Sequence, residues 1–164
     1  MRRSADILTS LRAGLASLTL MLVCYMPTAT PQEMSDEQRF VGDYELISYV
    51  TFPEQGAATD MQYVGRLSYD EFGNMAGLGM PKDLPARAEA AEERITGGFA
   101  YWGKVSIDPI NKVVTHHVEG SPMVPSWVGG DNVRHYEFEG DLLKLSLKNS
   151  AGRTTATLTW RRLK

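Results

Sequence analysis

Eight short stretches of alternating apolar and polar residues fill this chain after residue 40, and they restrict its folding more than any other feature. Successive side chains of a strand point to opposite faces, so each stretch has one side for a core and one for water. The predicted strands are 41–50, 61–69, 75–80, 99–107, 113–119, 132–138, 142–148 and 154–162. Asp70-Glu71-Phe72-Gly73-Asn74, Asp108-Pro109-Ile110-Asn111 and Glu139-Gly140-Asp141 are turns too short for a crossover. The strands therefore run as an antiparallel meander. A sandwich or a closed up-and-down barrel would satisfy this order, and closure removes both exposed edges. The expected fold is all-β, an eight-stranded antiparallel up-and-down barrel. Such a barrel is wide enough for side chains or one small ligand.

Two segments break the rhythm. Ala86, Ala88, Ala90 and Ala91 with Glu89, Glu92 and Glu93 are strong helix formers, and Gly97-Gly98 follows them, which predicts one short helix over 86–95. At the start, Arg2, Arg3 and Arg12 precede a weakly polar stretch over 13–26, shorter than the ~20 residues of a spanning helix. A basic start, a short apolar run and the small residues Thr28, Ala29 and Thr30 describe a secretory signal. Residues 1–30 are read as a signal peptide or N-terminal anchor, 31–39 as a linker and 40–164 as the barrel domain. The protein is then exported, periplasmic or secreted, with no stable membrane span once the signal is removed. Cleavage near Thr30 would also remove Cys24, the only cysteine.

The formal net charge of −3 argues against a nucleic-acid partner, which calls for a clustered basic surface. No metal-binding, nucleophile-elbow or phosphate-loop motif is present, and no cofactor is implied. The polar interest lies in 113–119 and 132–138. Thr115, His117 and Glu119 share one strand face, while Val114, His116 and Val118 share the other. Asn132, Arg134, Tyr136 and Phe138 share a face whose aromatics mark it as the inner one.

Register decides which histidine joins that face. If His117 lies opposite Arg134, then Glu119 lies opposite Asn132, and His116 meets His135 outside. A slip of one residue brings His116 inside with Val114 and Val118. The first register is preferred because it pairs Arg134 with Glu119 rather than burying the cation alone. It makes His117 and Glu119 the candidate acid/base pair. Tyr101, His116, His117, Glu119, Trp127, Asn132, Arg134 and Tyr136 are the candidate ligand-binding residues, with Trp127 in a long loop as a lid. Phe99 and Tyr101 alternate inward with Val105 and Ile107. Leu143, Leu145, Leu147, Leu158 and Trp160 are read as packing.

Gly42-Asp43-Tyr44 resembles the lipocalin Gly-x-Trp start, with tyrosine in place of tryptophan. Trp160-Arg161-Arg162 resembles the closing arginine of that family, which covers the aromatic of strand one. The run Val113-Val114-Thr115-His116-His117-Val118-Glu119 is similar to the compact bacterial and fungal lipocalin-like domain family. So are Trp127-Val128-Gly129, Asn132-Val133-Arg134 and Gly140-Asp141-x-Leu143-x-Leu145-Ser146. The resemblance covers about 40–162 and implies a small barrel around a ligand cavity. The expected function is binding of a small, apolar or amphipathic molecule. The alternative is a cofactor-free isomerase, cyclase or hydrolase built on a His/Glu/Arg pocket. Oligomeric state has no signature in the sequence.

Overall fold

The computed structural model describes residues 34–83 and 97–164. The predicted signal segment and the predicted helix over 86–95 lie outside these residues.

Each predicted strand forms, with ends displaced by at most two residues. They are β1 (Gly42–Thr51), β3 (Tyr63–Tyr69), β4 (Asn74–Pro81), β5 (Phe99–Asp108), β6 (Val113–Gly120), β7 (Asp131–Glu139), β8 (Leu142–Lys148) and β9 (Thr154–Arg162). A two-residue strand, β2 (Thr59–Asp60), adds to the far end of β1. Neighbours pair antiparallel in sequence order from β3 to β9, and β1 pairs with both β3 and β9. The sheet thus closes into an eight-stranded barrel.

The turns form because a carboxylate or amide side chain replaces missing backbone partners. Asp70 Oδ1 accepts from the N–H groups of Phe72 and Asn74, and Asp108 Oδ1 from those of Ile110 and Asn111. Asn149 does the same for Ala151 and Arg153. The ladder is irregular where β5 meets β6, between Trp102 and Gly103. A Cβ on Gly103 would lie 1.9 Å from the His117 carbonyl oxygen, so this close approach admits only glycine.

The linker expected over 31–39 is not featureless in its described part. Ser35 and Gln38 form a capping box that starts α1 (Asp36–Phe40). The helix delivers Phe40 into one end of the barrel. Its ring stands edge-on to Tyr69, Tyr136 and Phe138 at 5.2, 4.9 and 5.0 Å. Burying a side chain of this size contributes about 2–3 kcal/mol, with further gain from the aromatic geometry. Asp36 fastens the helix to the barrel by accepting from Tyr136 Oη and Lys112 Nζ, both at 2.6 Å. These bonds hold its carboxyl below the usual aspartate value.

Beside this plug, Tyr44 lies under Arg162, whose guanidinium carbon is 4.9 Å from the ring centre. The Tyr44 hydroxyl accepts from Arg162 Nη2 at 2.7 Å and donates toward the Arg39 and Phe40 carbonyls. Burial pushes the Tyr44 pKa up to about 12, against the opposing charges of Arg162 and Arg39. Among the described residues, no helix is long and apolar enough to cross a membrane.

Candidate ligand cavity

The pairing of β6 with β7 decides what faces inward. Val114 lies opposite Arg134, His116 opposite Asn132 and His117 opposite Asp131. This differs by three residues from the preferred register, and an odd shift exchanges the two faces of β6. Val114, His116 and Val118 are buried, whereas Thr115, His117 and Glu119 face outward. The preferred register is therefore corrected, and with it the His117–Glu119 pair inside the barrel.

The physical reason is a matter of magnitude. Sequestering two valines contributes about 1.5–3 kcal/mol each. A partly solvated Glu–Arg pair contributes about 0–1 kcal/mol. The apolar face wins. His135 is set opposite Val113, so it does not meet His116 either.

His116 is 1% exposed and stands between two tyrosines. Its Nε2 is 2.7 Å from Tyr69 Oη and its Nδ1 is 2.8 Å from Tyr101 Oη. A neutral imidazole has one donor and one acceptor nitrogen, so one tyrosine gives a proton to the ring and the other receives one. Burial drives the His116 pKa down to about 3, with the positive charge of Arg134 adding to the effect. Burial also raises both phenols above their ordinary range. At neutral pH the three groups are uncharged and mutually satisfied, forming a polar strut across β3, β5 and β6.

Tyr101 presents its ring to a cavity of about 90 Å³ at the end of the barrel away from α1. Tyr49, Leu67, Gly77 and Phe99 form one part of the wall, and Leu145, Leu147, Leu158 and Trp160 another. Four of the five residues of β8 and β9 expected only to pack therefore line the cavity, and Leu143 alone stays in the packed core. Their signal was present in the alternation of Leu143, Leu145 and Leu147, which puts all three on one face. Trp127 belongs to a 3-10 turn (Pro125–Trp127), lines the same cavity and stands perpendicular to Tyr101 at 5.4 Å.

Among the described residues, Arg134 is the one charged residue in the wall. Its Nη1 donates to the Val133 carbonyl at 2.8 Å. Among the described residues it has no carboxylate partner, so the expected pair with Glu119 is absent. Trp160 lines the same wall with other atoms of its side chain, while its Nε1 is buried away from the cavity without a hydrogen-bond partner among the described residues.

Of the candidate binding residues, then, Tyr101, Trp127 and Arg134 line the cavity. His116 supports Tyr101 from behind. Asn132 shares the interior face but is not in the wall. Tyr136 is committed to the opposite end, against Phe40 and Asp36.

His117 joins a different cluster on the outer face. Its Nδ1 is 2.7 Å from Asp131 Oδ1 and its Nε2 is 2.9 Å from Ser106 Oγ. The order matches a Ser–His–Asp relay. Ser106, however, lies within β5, where backbone N–H groups serve the sheet ladder and are not free to stabilise an oxyanion. The cluster is a cross-strand clasp over β5, β6 and β7. Glu119 borders a broad outer depression of about 640 Å³ that also includes Asp43, Asp70, Glu71, Phe72 and Trp102.

The sequence model of a family described as "Lipocalin-like domain" matches residues 41–163. A solved structure of a lipocalin-like protein from Bacteroides uniformis ATCC 8492 is similar, with 12% identity and a TM-score of 0.48, covering 76% of this chain and 99% of that one. An uncharacterized protein from Bacteroides eggerthii DSM 20697 shares 13% identity at a TM-score of 0.44, with 76% and 99% covered. No curated protein matches the chain.

Proposed function

The chain belongs to the lipocalin-like domain family, and on that premise we propose that it is an exported protein that takes a small, largely apolar molecule into its barrel. The observation that carries this reading is the cavity of about 90 Å³. Leucines and aromatics dominate its wall, and Arg134 faces them without a carboxylate partner among the described residues. A barrel built only for stability gains from filling such a space, because each unfilled volume costs packing energy. Placing a guanidinium beside an apolar hollow is the arrangement of a binding site, with apolar surface for affinity and one polar group for orientation.

The volume limits the ligand. A protein cavity of about 150 Å³ holds benzene, so the buried part of this ligand is of that size or smaller. Export is supported by the basic start and the short apolar run before residue 30. The alternative acid/base chemistry by His117 and Glu119 loses its support, because both residues face away from the cavity.

Native mass spectrometry of the protein purified from its source, followed by solvent extraction, tests the binding reading. We expect a defined small molecule at one per chain, released when the barrel unfolds. A protein that is empty as isolated and remains empty across a library of small apolar compounds overturns the reading. The mass of the mature chain in the same experiment reports whether the N-terminal segment has been removed.

A further inference from the structure

The outer wall of the barrel carries an aromatic surface that folding does not use. One ladder row crosses five strands through Asp43, Ser68, Ala76, Trp102 and Gly120. Alternation turns the side chains of this row outward, since their neighbours Tyr44, Leu67 and Tyr101 are buried. A Cβ on Gly120 would lie 2.1 Å from the Trp102 ring, so the six-membered part of the indole rests directly on the Gly120 backbone. Trp102 is thereby held in place while remaining 51% exposed. Ser68 and Ala76 are small, which leaves the sheet low beside the indole, within the outer depression of about 640 Å³. Phe72, 77% exposed in the turn from β3 to β4, lines the same depression. Apolar residues scattered singly over a surface are ordinary, but two bare aromatics around one hollow mark a contact surface.

The charged groups around these rings are of one kind. Asp43, Asp70, Glu71 and Glu119 line the depression, and among the described residues no lysine or arginine does. Asp70 is spent on its own turn and Asp43 accepts from Ser68. Glu71 and Glu119 form no ion pair among the described residues. An ionised carboxylate only accepts, so the matching ligand must donate. We propose that this depression binds a neutral carbohydrate, whose ring stacks on Trp102 and whose hydroxyls donate to Glu119 and Glu71. The C–H bonds on the face of a sugar ring carry slight positive charge and meet the negative face of the indole. The volume lies within the about 300–1,000 Å³ of small-molecule sites. An acidic sugar would be repelled by the four carboxylates. A small ammonium ion would meet their charge but leave most of the volume unfilled, and salt screens charge at so exposed a site. The site stands apart from the barrel cavity, with which it shares no lining residue.

The test titrates the purified protein at pH 7 with cellotetraose, maltotetraose and N-acetylated chitotetraose, and with tetragalacturonate and tetramethylammonium as charged counterparts. Calorimetry measures affinity, and the indole N–H resonance of Trp102 reports where binding occurs. At least one neutral oligosaccharide is expected to shift that resonance and to bind at least about tenfold more tightly than tetragalacturonate. Trp102→Ala should weaken this binding at least about tenfold, with little change in thermal midpoint because the side chain lies outside the core. Trp102→Phe keeps a smaller platform and should retain part of the affinity. Arg134→Met, which alters the barrel cavity, should leave sugar binding unchanged, so the two sites stand or fail separately. Tetramethylammonium binding more tightly than every neutral sugar would overturn the carbohydrate assignment. So would affinity that survives Trp102→Ala, or the absence of any saccharide binding at millimolar concentration. None of these failures touches the cavity reading.

Discussion

His116 lies directly opposite Asn132 across the β6–β7 ladder, so the two side chains share the interior of the barrel. From that pairing follow the strut to Tyr69 and Tyr101, the outward position of His117, and the isolation of Arg134 from Glu119. It also makes stability depend on pH. The folded-state pKa of His116 is lowered to about 3 from an ordinary 6.5. Between those values the unfolded chain binds the proton and the folded one does not, so stability falls as pH drops below 6.5.

At pH 4.5 this single group should cost roughly 2–3 kcal/mol relative to pH 7. Urea midpoints at the two pH values measure it. His116→Gln lacks the titration and should flatten the difference between them, whatever its absolute stability. An equal pH dependence in wild type and variant would show that His116 is not the group responsible.

Asp36 produces a second, more acidic transition. Its folded pKa is below the ordinary aspartate value of 3.8, first because Lys112 and then because Tyr136 donates to its carboxylate. Its contribution is therefore complete above about pH 4 and is lost as pH falls through the lowered pKa. Asp36→Asn should reduce stability at pH 7 by about 1–2 kcal/mol, and the deficit should shrink toward pH 2. Chemical denaturation of both proteins over that range checks the sign.

Phe40→Ala should be the most damaging substitution outside the cavity. Phe40 is 1% exposed and touches three aromatic rings. Its removal should cost about 3–5 kcal/mol, and hydrogen exchange should rise at the α1 end of β3 and β7. A loss below 1 kcal/mol would mean that α1 does not close the barrel in solution.

His117→Ala tests the outer cluster. The His117 and Asp131 side chains are 45% and 58% exposed, so their pair contributes little through solvent. The expected loss is under about 1 kcal/mol, with ligand affinity unchanged. A large fall in affinity with an intact fold would move the binding site to the outer face.

Gly77→Val tests the cavity by filling it. A Cβ at Gly77 would lie 3.3 Å from Leu67 Cδ1 and 3.6 Å from Tyr101 Cε1, directly in the cavity wall. The added methyl groups should weaken ligand binding at least tenfold, while circular dichroism stays that of a barrel. Undiminished binding would place the ligand elsewhere.

The strands and turns were readable from the chain because their causes are local. Alternation sorts the side chains of a single strand, and Asp70, Asp108 and Asn149 build turns from their own neighbours. The inward face of 132–138 and the alternation of Phe99 with Tyr101 were likewise decided within one strand. Two small features escaped because their signals are short. The capping box at Ser35 and Gln38 sits in a stretch with no periodicity, and β2 is two residues long.

The sequence by itself determined the antiparallel meander and its turns, and put Tyr101 and Arg134 on the inward faces of their strands. Only the tertiary structure decided which histidine is interior and which leucines face the cavity. Segment 113–119 has two plausible inner faces, one apolar and one polar, and nothing within it chooses between them. The choice is made by strands distant in sequence, through the register with β7 and the burial of Val114 and Val118 against the rest of the core. That burial outweighs a solvated Glu–Arg pair, so the barrel keeps its valines and His116 and leaves Arg134 to its cavity.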